Sequence, residues 1–63
     1  MLTVRERQIM DLVILGYTVK EISHMLNISE TTVISHKENI KEKLRARNSC
    51  HCVLLYLQQY NPN

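Results

Sequence analysis

Residues 18–33, Thr18-Val19-Lys20-Glu21-Ile22-Ser23-His24-Met25-Leu26-Asn27-Ile28-Ser29-Glu30-Thr31-Thr32-Val33, contain two helix starts with a stop between them. Thr18 followed three residues later by Glu21 is a capping box, in which hydroxyl and carboxylate each accept an N–H that the first helical turn leaves unpaired. Ile22, Met25 and Leu26 then recur on one side, and Asn27, which tolerates the left-handed conformation, ends a helix of about two turns. Ser29 caps the next helix, whose Val33, Ile40 and Leu44 share one stripe. Only Asn27-Ile28-Ser29 separates the two, and so tight a turn makes them cross steeply. Ile22, Leu26, Ile28 and Val33 are placed to form the seam, with Ser23 small enough to let the helices approach. The expected unit is a helix-turn-helix over about 19–38.

Outward from that unit the same punctuation recurs. Thr3 and Glu6 form a first capping box, Ile9, Leu12 and Val13 follow at helical spacing, and Gly16 is a natural left-handed stop, giving a helix over about 4–15. The third helix runs over about 30–45. Asn48-Ser49 punctuates again, and a fourth helix is expected over about 49–60, closed by Asn61-Pro62 because proline cannot continue it. No strand pattern, repeat or low-complexity tract interrupts. The expected fold class is all-α, a tetrahelical helix-turn-helix domain unrelated to the winged helix, occupying residues 1–63 as one unit. A chain of 63 residues buries only about 60% of the surface its unfolded form exposes. With 44% hydrophobic residues and a single Gly and Pro, it is nevertheless composed as a packed domain.

In a helix-turn-helix the second helix lies in the major groove of DNA while the first crosses the backbone. An ordinary αα-hairpin in a small bundle has the same local signature, so the rest of the chain has to decide. Charge is one pointer. Residues 1–28 balance Arg5, Arg7 and Lys20 against Glu6, Asp11 and Glu21, and the net charge of +2 lies beyond them, where Lys37, Lys41, Lys43, Arg45 and Arg47 outnumber Glu30, Glu38 and Glu42.

The segments Leu2-Thr3-Val4-Arg5-Glu6-Arg7, Gly16 to Ile22, Leu26 to Ser29, Thr32-Val33, His36, Asn39-Ile40 and Lys43-Leu44 stand in an order that resembles the LuxR/FixJ-type (GerE-like) DNA-binding domain of bacterial transcription regulators. The resemblance runs from Leu2 to about Tyr56. Region 4 of sigma factors shares the Leu-Thr-x-Arg-Glu-Arg opening, but Thr32-Val33 with His36 and Asn39-Ile40 favours the regulator. The resemblance implies sequence-specific binding of double-stranded DNA, as the output domain of a regulator whose receiver or ligand-sensing domain lies outside this chain.

Winding the third helix at ~100° per residue turns Thr31, Ile34, Ser35, Glu38 and Glu42 away from the Val33, Ile40, Leu44 stripe. The resemblance implies base contacts from the same region of the helix. Thr31 and Ser35 suit several bases, Glu38 suits cytosine N4 and Ile34 suits a thymine methyl. Lys20, Thr32, Lys37, Asn39, Lys41 and Lys43 are the expected phosphate contacts. The family often carries Lys after Thr-Val and a basic or polar residue four positions on; this chain has Ile34 and Glu38. Those two residues motivate a rival reading, a helix-turn-helix converted into a protein-interaction module.

The fourth helix carries more apolar residues than one stripe needs. The resemblance assigns the core to Cys52, Val53, Tyr56 and Tyr60. Cys50, Leu54 and Leu57 are left as a second strip, expected to form a homodimer contact. RNA polymerase is a candidate second protein partner.

Other chemistries have no support in the sequence. His24, His36 and His51 fall on different helices, without the paired spacing of a zinc site, so no metal is expected. No nucleophile–base pair or phosphate loop points to catalysis, and no cofactor or small-molecule ligand is expected. Cys50 and Cys52 sit on nearly opposite helix faces and cannot pair there. Reduced thiols, no secretory signal and no membrane-length apolar run lead to an expectation of the cytoplasm.

Overall fold

The computed structural model describes residues 2–60, apart from the side chain of Tyr60. Four helices follow in order: α1 (Val4–Ile14), α2 (Val19–Leu26), α3 (Glu30–Leu44) and α4 (Ser49–Tyr60), with no strand among the described residues. The expected stop at Asn61-Pro62 and the expected core role of Tyr60 lie outside what is described.

Both capping boxes form. The Thr3 hydroxyl accepts from the Glu6 N–H at 3.2 Å, and the Glu6 carboxylate accepts from the Thr3 N–H at 2.8 Å. Thr18 and Glu21 repeat this at 3.2 and 2.9 Å. Each box satisfies donors that a helix start leaves orphaned. Ser29 caps α3 through the Thr32 N–H at 3.1 Å, and the Asn48 side chain accepts from the His51 N–H at 2.9 Å at the start of α4.

The first three helices end in the same way. Gly16, Asn27 and Arg45 have positive φ, at 95°, 57° and 56°. In each case that residue and the next return their N–H groups to carbonyls of the last turn: Gly16 and Tyr17 to Val13 and Leu12, Asn27 and Ile28 to His24 and Ser23, Arg45 and Ala46 to Glu42 and Lys41. This is the Schellman closure. Gly16 and Asn27 were legible stops. Arg45 was not, and α3 ends one residue before the expected boundary because Arg45 takes the left-handed position itself.

Ile9, Ile22, Val33 and Ile40 are fully buried, and Leu2, Met10, Leu44, Cys52 and Tyr56 complete the core. Each fully buried aliphatic side chain contributes about 1.5–3 kcal/mol relative to exposure. In the expected seam, Ile22 and Val33 are buried while Leu26 and Ile28 are half-buried. Ser23 is buried, its hydroxyl donating to the Lys20 carbonyl at 2.7 Å. On α1 the buried face is shifted from the expected stripe. Met10 joins Ile9, and Leu12 and Val13 are half-buried, because α1 packs against α3 and α4 as well as α2.

Two polar clamps tie α1 to the later helices. Lys43 of α3 donates to the Glu6 carboxylate at 2.8 Å, with Glu6 only 3% exposed. The Tyr56 hydroxyl of α4 donates to the Asp11 carboxylate at 2.7 Å, with the Arg7 carbonyl at 3.4 Å. Burial raises the Glu6 pKa, but the Lys43 and Thr3 hydrogen bonds together outweigh it and the net shift is downward. Burial and then the bond to Asp11 push the Tyr56 hydroxyl upward.

Candidate nucleic-acid interface

α3 leaves the Asn27–Ser29 turn with its Val33, Ile40 and Leu44 stripe pressed into the core. Thr31, Ile34, Ser35, Glu38 and Glu42 are exposed, on the turns of the helix that point away from that stripe. Ile34 is 50% exposed, a branched apolar side chain presented to solvent among polar neighbours.

The two flanks of this face differ. On one, Lys37 and Lys41 are half-buried and border α4. Lys41 forms an ion pair with Glu38 at 3.2 Å, so one of the two outward carboxylates has a cation one turn away. Exposed pairs of this kind add little stability. This one does reduce the local negative charge that a phosphate would meet. On the other flank Asn39 is exposed, and Thr32 is half-buried with its hydroxyl 2.7 Å from that of Ser29. Lys20 is exposed in the first turn of α2.

Lys43, expected as a phosphate contact, is exposed and also has a partner within the fold. Its ammonium donates to Glu6, a carboxylate from the first turn of α1, and so braces α3 against α1. Nothing in the sequence signals this bond: a Lys two residues after Lys41 looks only like a basic flank, and a partner 37 positions earlier leaves no trace in spacing.

On α4, Cys52 and Tyr56 are buried and Val53 is half-buried. Cys50 is exposed, as are Leu54 at 54% and Leu57 at 39%. His36 is half-buried at the edge of the α3 stripe. Among the described residues no three His, Cys, Asp or Glu side chains converge as a metal site, and no helix is long and apolar enough to cross a membrane.

A cleft that the sequence did not signal lies between α1, α3 and α4. Its volume is about 120 Å³, with Met10, Val13, Cys52 and Val53 among its apolar walls and Ile34, Lys37, Glu38, Lys41 and Ser49 around them. Burial raises the Cys52 thiol pKa, and the fields of Lys37 and Lys41 oppose that rise.

Comparison with known proteins places the chain. Its residues 1–56 match the family described as bacterial regulatory proteins, luxR family. It is 40% identical over 58 residues to the nitrate/nitrite response regulator protein NarP of Escherichia coli, covering 92% of this chain and 27% of that protein. It is 38% identical over 56 residues to the transcriptional regulatory protein FixJ of Rhizobium meliloti, covering 89% of this chain and 28% of that protein. With the spore germination protein GerE of Bacillus subtilis it shares 38% identity over 58 residues, 92% of this chain and 78% of that protein. The chain thus spans about a quarter of the first two relatives and most of the third. No solved structure matches it significantly. A four-helix fold with a helix-turn-helix at its centre and relatives that are transcription regulators together identify the chain as a DNA-binding member of the luxR family of bacterial regulatory proteins.

Proposed function

We propose that α3 enters the major groove of double-stranded DNA and reads base edges with Thr31, Ile34, Ser35 and Glu38. The observation that carries this is the division of α3. Val33, Ile40 and Leu44 are fixed in the core while those four side chains stand exposed on the outward turns. A rigidly packed helix with a small, mixed polar and apolar outer face suits direct readout. Lys20, Thr32, Lys37, Asn39 and Lys41 supply the phosphate contacts that fix register. Lys43 joins that set, its exposed ammonium shared with Glu6.

The same reading makes the domain the output module of a longer regulator, binding as a homodimer through Cys50, Leu54 and Leu57 of α4. The exposure of Leu54 and Leu57 supports this. The dimensions are compatible: at 28 × 23 × 19 Å, two copies fit side by side on half-sites about 34 Å apart, one DNA turn. A pseudo-palindromic operator follows from that symmetry.

The test is a titration of labelled duplex at several salt concentrations. DNA binding gives log affinity falling with log salt by about 0.9 per phosphate neutralised. No binding at low salt, together with tight capture of a protein partner, supports the interaction module that Ile34 and Glu38 motivate.

A further inference from the structure

The cleft between α1, α3 and α4 is neither part of the core nor explained by DNA readout. Its floor is formed by Met10, Val13, Cys52 and Val53, four residues without a charged group. Its volume of about 120 Å³ approaches the ~150 Å³ of an apolar cavity that takes up a benzene-sized group. A free phosphate or a bare metal ion has no use for such a floor.

The rim is charged, and unevenly. Lys41 is neutralised in part by Glu38 at 3.2 Å. Lys37, half-buried against the same cleft, has no hydrogen bond or ion pair among the described residues. Both lysines line the cleft together with Cys52. Ser49, the first residue of α4, adds a hydroxyl to the rim. A short apolar floor beside one uncompensated cation matches one chemical class, a small amphiphilic carboxylate. Its hydrocarbon part covers Met10, Val13 and Val53, and its carboxylate accepts a hydrogen bond from the Lys37 ammonium.

We infer that the α1–α3–α4 cleft binds a carboxylate carrying an aliphatic or aryl group of about six carbons, and that occupancy weakens DNA binding. The second half rests on the proposed reading of α3. Ile34 and Glu38 belong both to the cleft and to the outward face, and Lys37 to both the cleft and the phosphate set, so an occupied cleft withdraws a cation and alters two readers.

The experiment uses the whole chain and hexanoate, with hexan-1-ol and inorganic phosphate as comparison probes at constant ionic strength. Amide chemical shifts are followed by NMR. The expected result is saturable shifts confined to Met10, Val13, Cys52, Val53 and their neighbours. Hexanol should bind roughly tenfold more weakly, the value of one charge-assisted hydrogen bond at a partly exposed site, and phosphate should give no localised response. Lys37→Gln should erase the preference for hexanoate over hexanol while leaving hexanol binding in place, and Val53→Phe, checked for helicity, should fill the floor and abolish both. Shifts that do not saturate, that scatter over the surface, or that survive Lys37→Gln with the acid preference intact overturn the site. These measurements contain no DNA, so their failure leaves the reading of α3 untouched. The coupling is then read by adding hexanoate at saturation to a duplex titration. A several-fold loss of affinity supports it, and unchanged affinity with a demonstrably filled cleft refutes it. If the duplex does not bind at all, the reading of α3 is what has failed.

Discussion

Glu6 and Lys43 are unequal partners, and that inequality gives the fold its sharpest test. Glu6 is 4% exposed at its side chain and Lys43 is 39% exposed. Removing the carboxylate's charge therefore leaves an ammonium that water can still reach, whereas removing the ammonium strands a buried charge. Glu6→Gln keeps an oxygen able to accept the Thr3 N–H and should cost about 1–2 kcal/mol, the value of one hydrogen bond between charged groups reduced for the exposed side. Lys43→Met should cost more, about 2–4 kcal/mol at neutral pH, because breaking a pair around a buried ion costs up to ~5 kcal/mol and Thr3 offsets part of it. In a domain this small 1 kcal/mol moves the melting temperature by roughly 4–8 °C, so both effects are measurable by urea or thermal unfolding followed by far-UV circular dichroism. The pH dependence separates the two further. In the native chain the Glu6 carboxyl lies below its ordinary value of 4.5, so its contribution is complete above that value and is lost as pH falls through the lower folded pKa. In Lys43→Met the two lowering effects of Lys43 are lost and burial is opposed by Thr3 alone, so the folded pKa moves upward and the variant should lose less stability than the native chain as pH falls. If both substitutions cost less than about 0.3 kcal/mol, within the scatter of ordinary surface changes, and the two pH profiles coincide, the pair does not brace α3 and the reasoning fails.

Leu54→Asp should leave helicity and single-half-site affinity nearly unchanged, because Leu54 is 54% exposed, while abolishing cooperative binding to a two-half-site operator; unfolding of the variant at low concentration would place Leu54 in the core instead. Ser35→Ala and Glu38→Ala should each re-rank a panel of operator variants by about 1–3 kcal/mol per altered base pair, and a uniform gain in affinity with Glu38→Ala would make Glu38 a repulsive bystander. At the left-handed closures the signs should be opposite. Gly16→Ala, where an added methyl meets nothing within 4 Å, should lose about 1 kcal/mol to backbone strain alone. Arg45→Gly should gain a similar amount in stability, and calorimetry showing the same sign for both would contradict the strain account.

The local features of this fold were legible in the sequence because they are local. Thr3, Thr18, Gly16, Asn27 and Ser29 each act within four residues of themselves, and each does what its side chain predicts. The buried and exposed sides of α4 could also be drawn in advance, with Cys52 and Tyr56 inside and Leu54 and Leu57 outside. What escaped is non-local. Glu6 was legible as a cap but not as a buried ion, since its second partner is contributed by α3. Met10 was missed because a single-stripe reading of α1 ignores that three helices surround it. Asp11 gave no sign of meeting Tyr56. The cleft requires α1, α3 and α4 to be placed together before Lys37 and Cys52 become neighbours. Arg45 at a left-handed closure contradicts ordinary residue preference, and only backbone geometry reveals it.

The two clamps also set an order of assembly. The α2–α3 pair closes through contacts between residues adjacent in sequence, across a turn that Asn27 and Ser29 already favour. Glu6–Lys43 and Asp11–Tyr56 close loops of 37 and 45 residues, and a loop's entropy cost is met before its contact returns anything. The α2–α3 pair is therefore expected to form early, with the outer helices docking onto it afterwards. In the folded protein the sequence runs in reverse. Local openings begin where α4 and the first turn of α1 release their long-range partners, so amide exchange should be fastest at the two ends and slowest around Ile22, Val33 and Ile40. A protease would thus meet α4 first, and an early cut would remove the exposed Leu54 and Leu57 together with the core residues Cys52 and Tyr56.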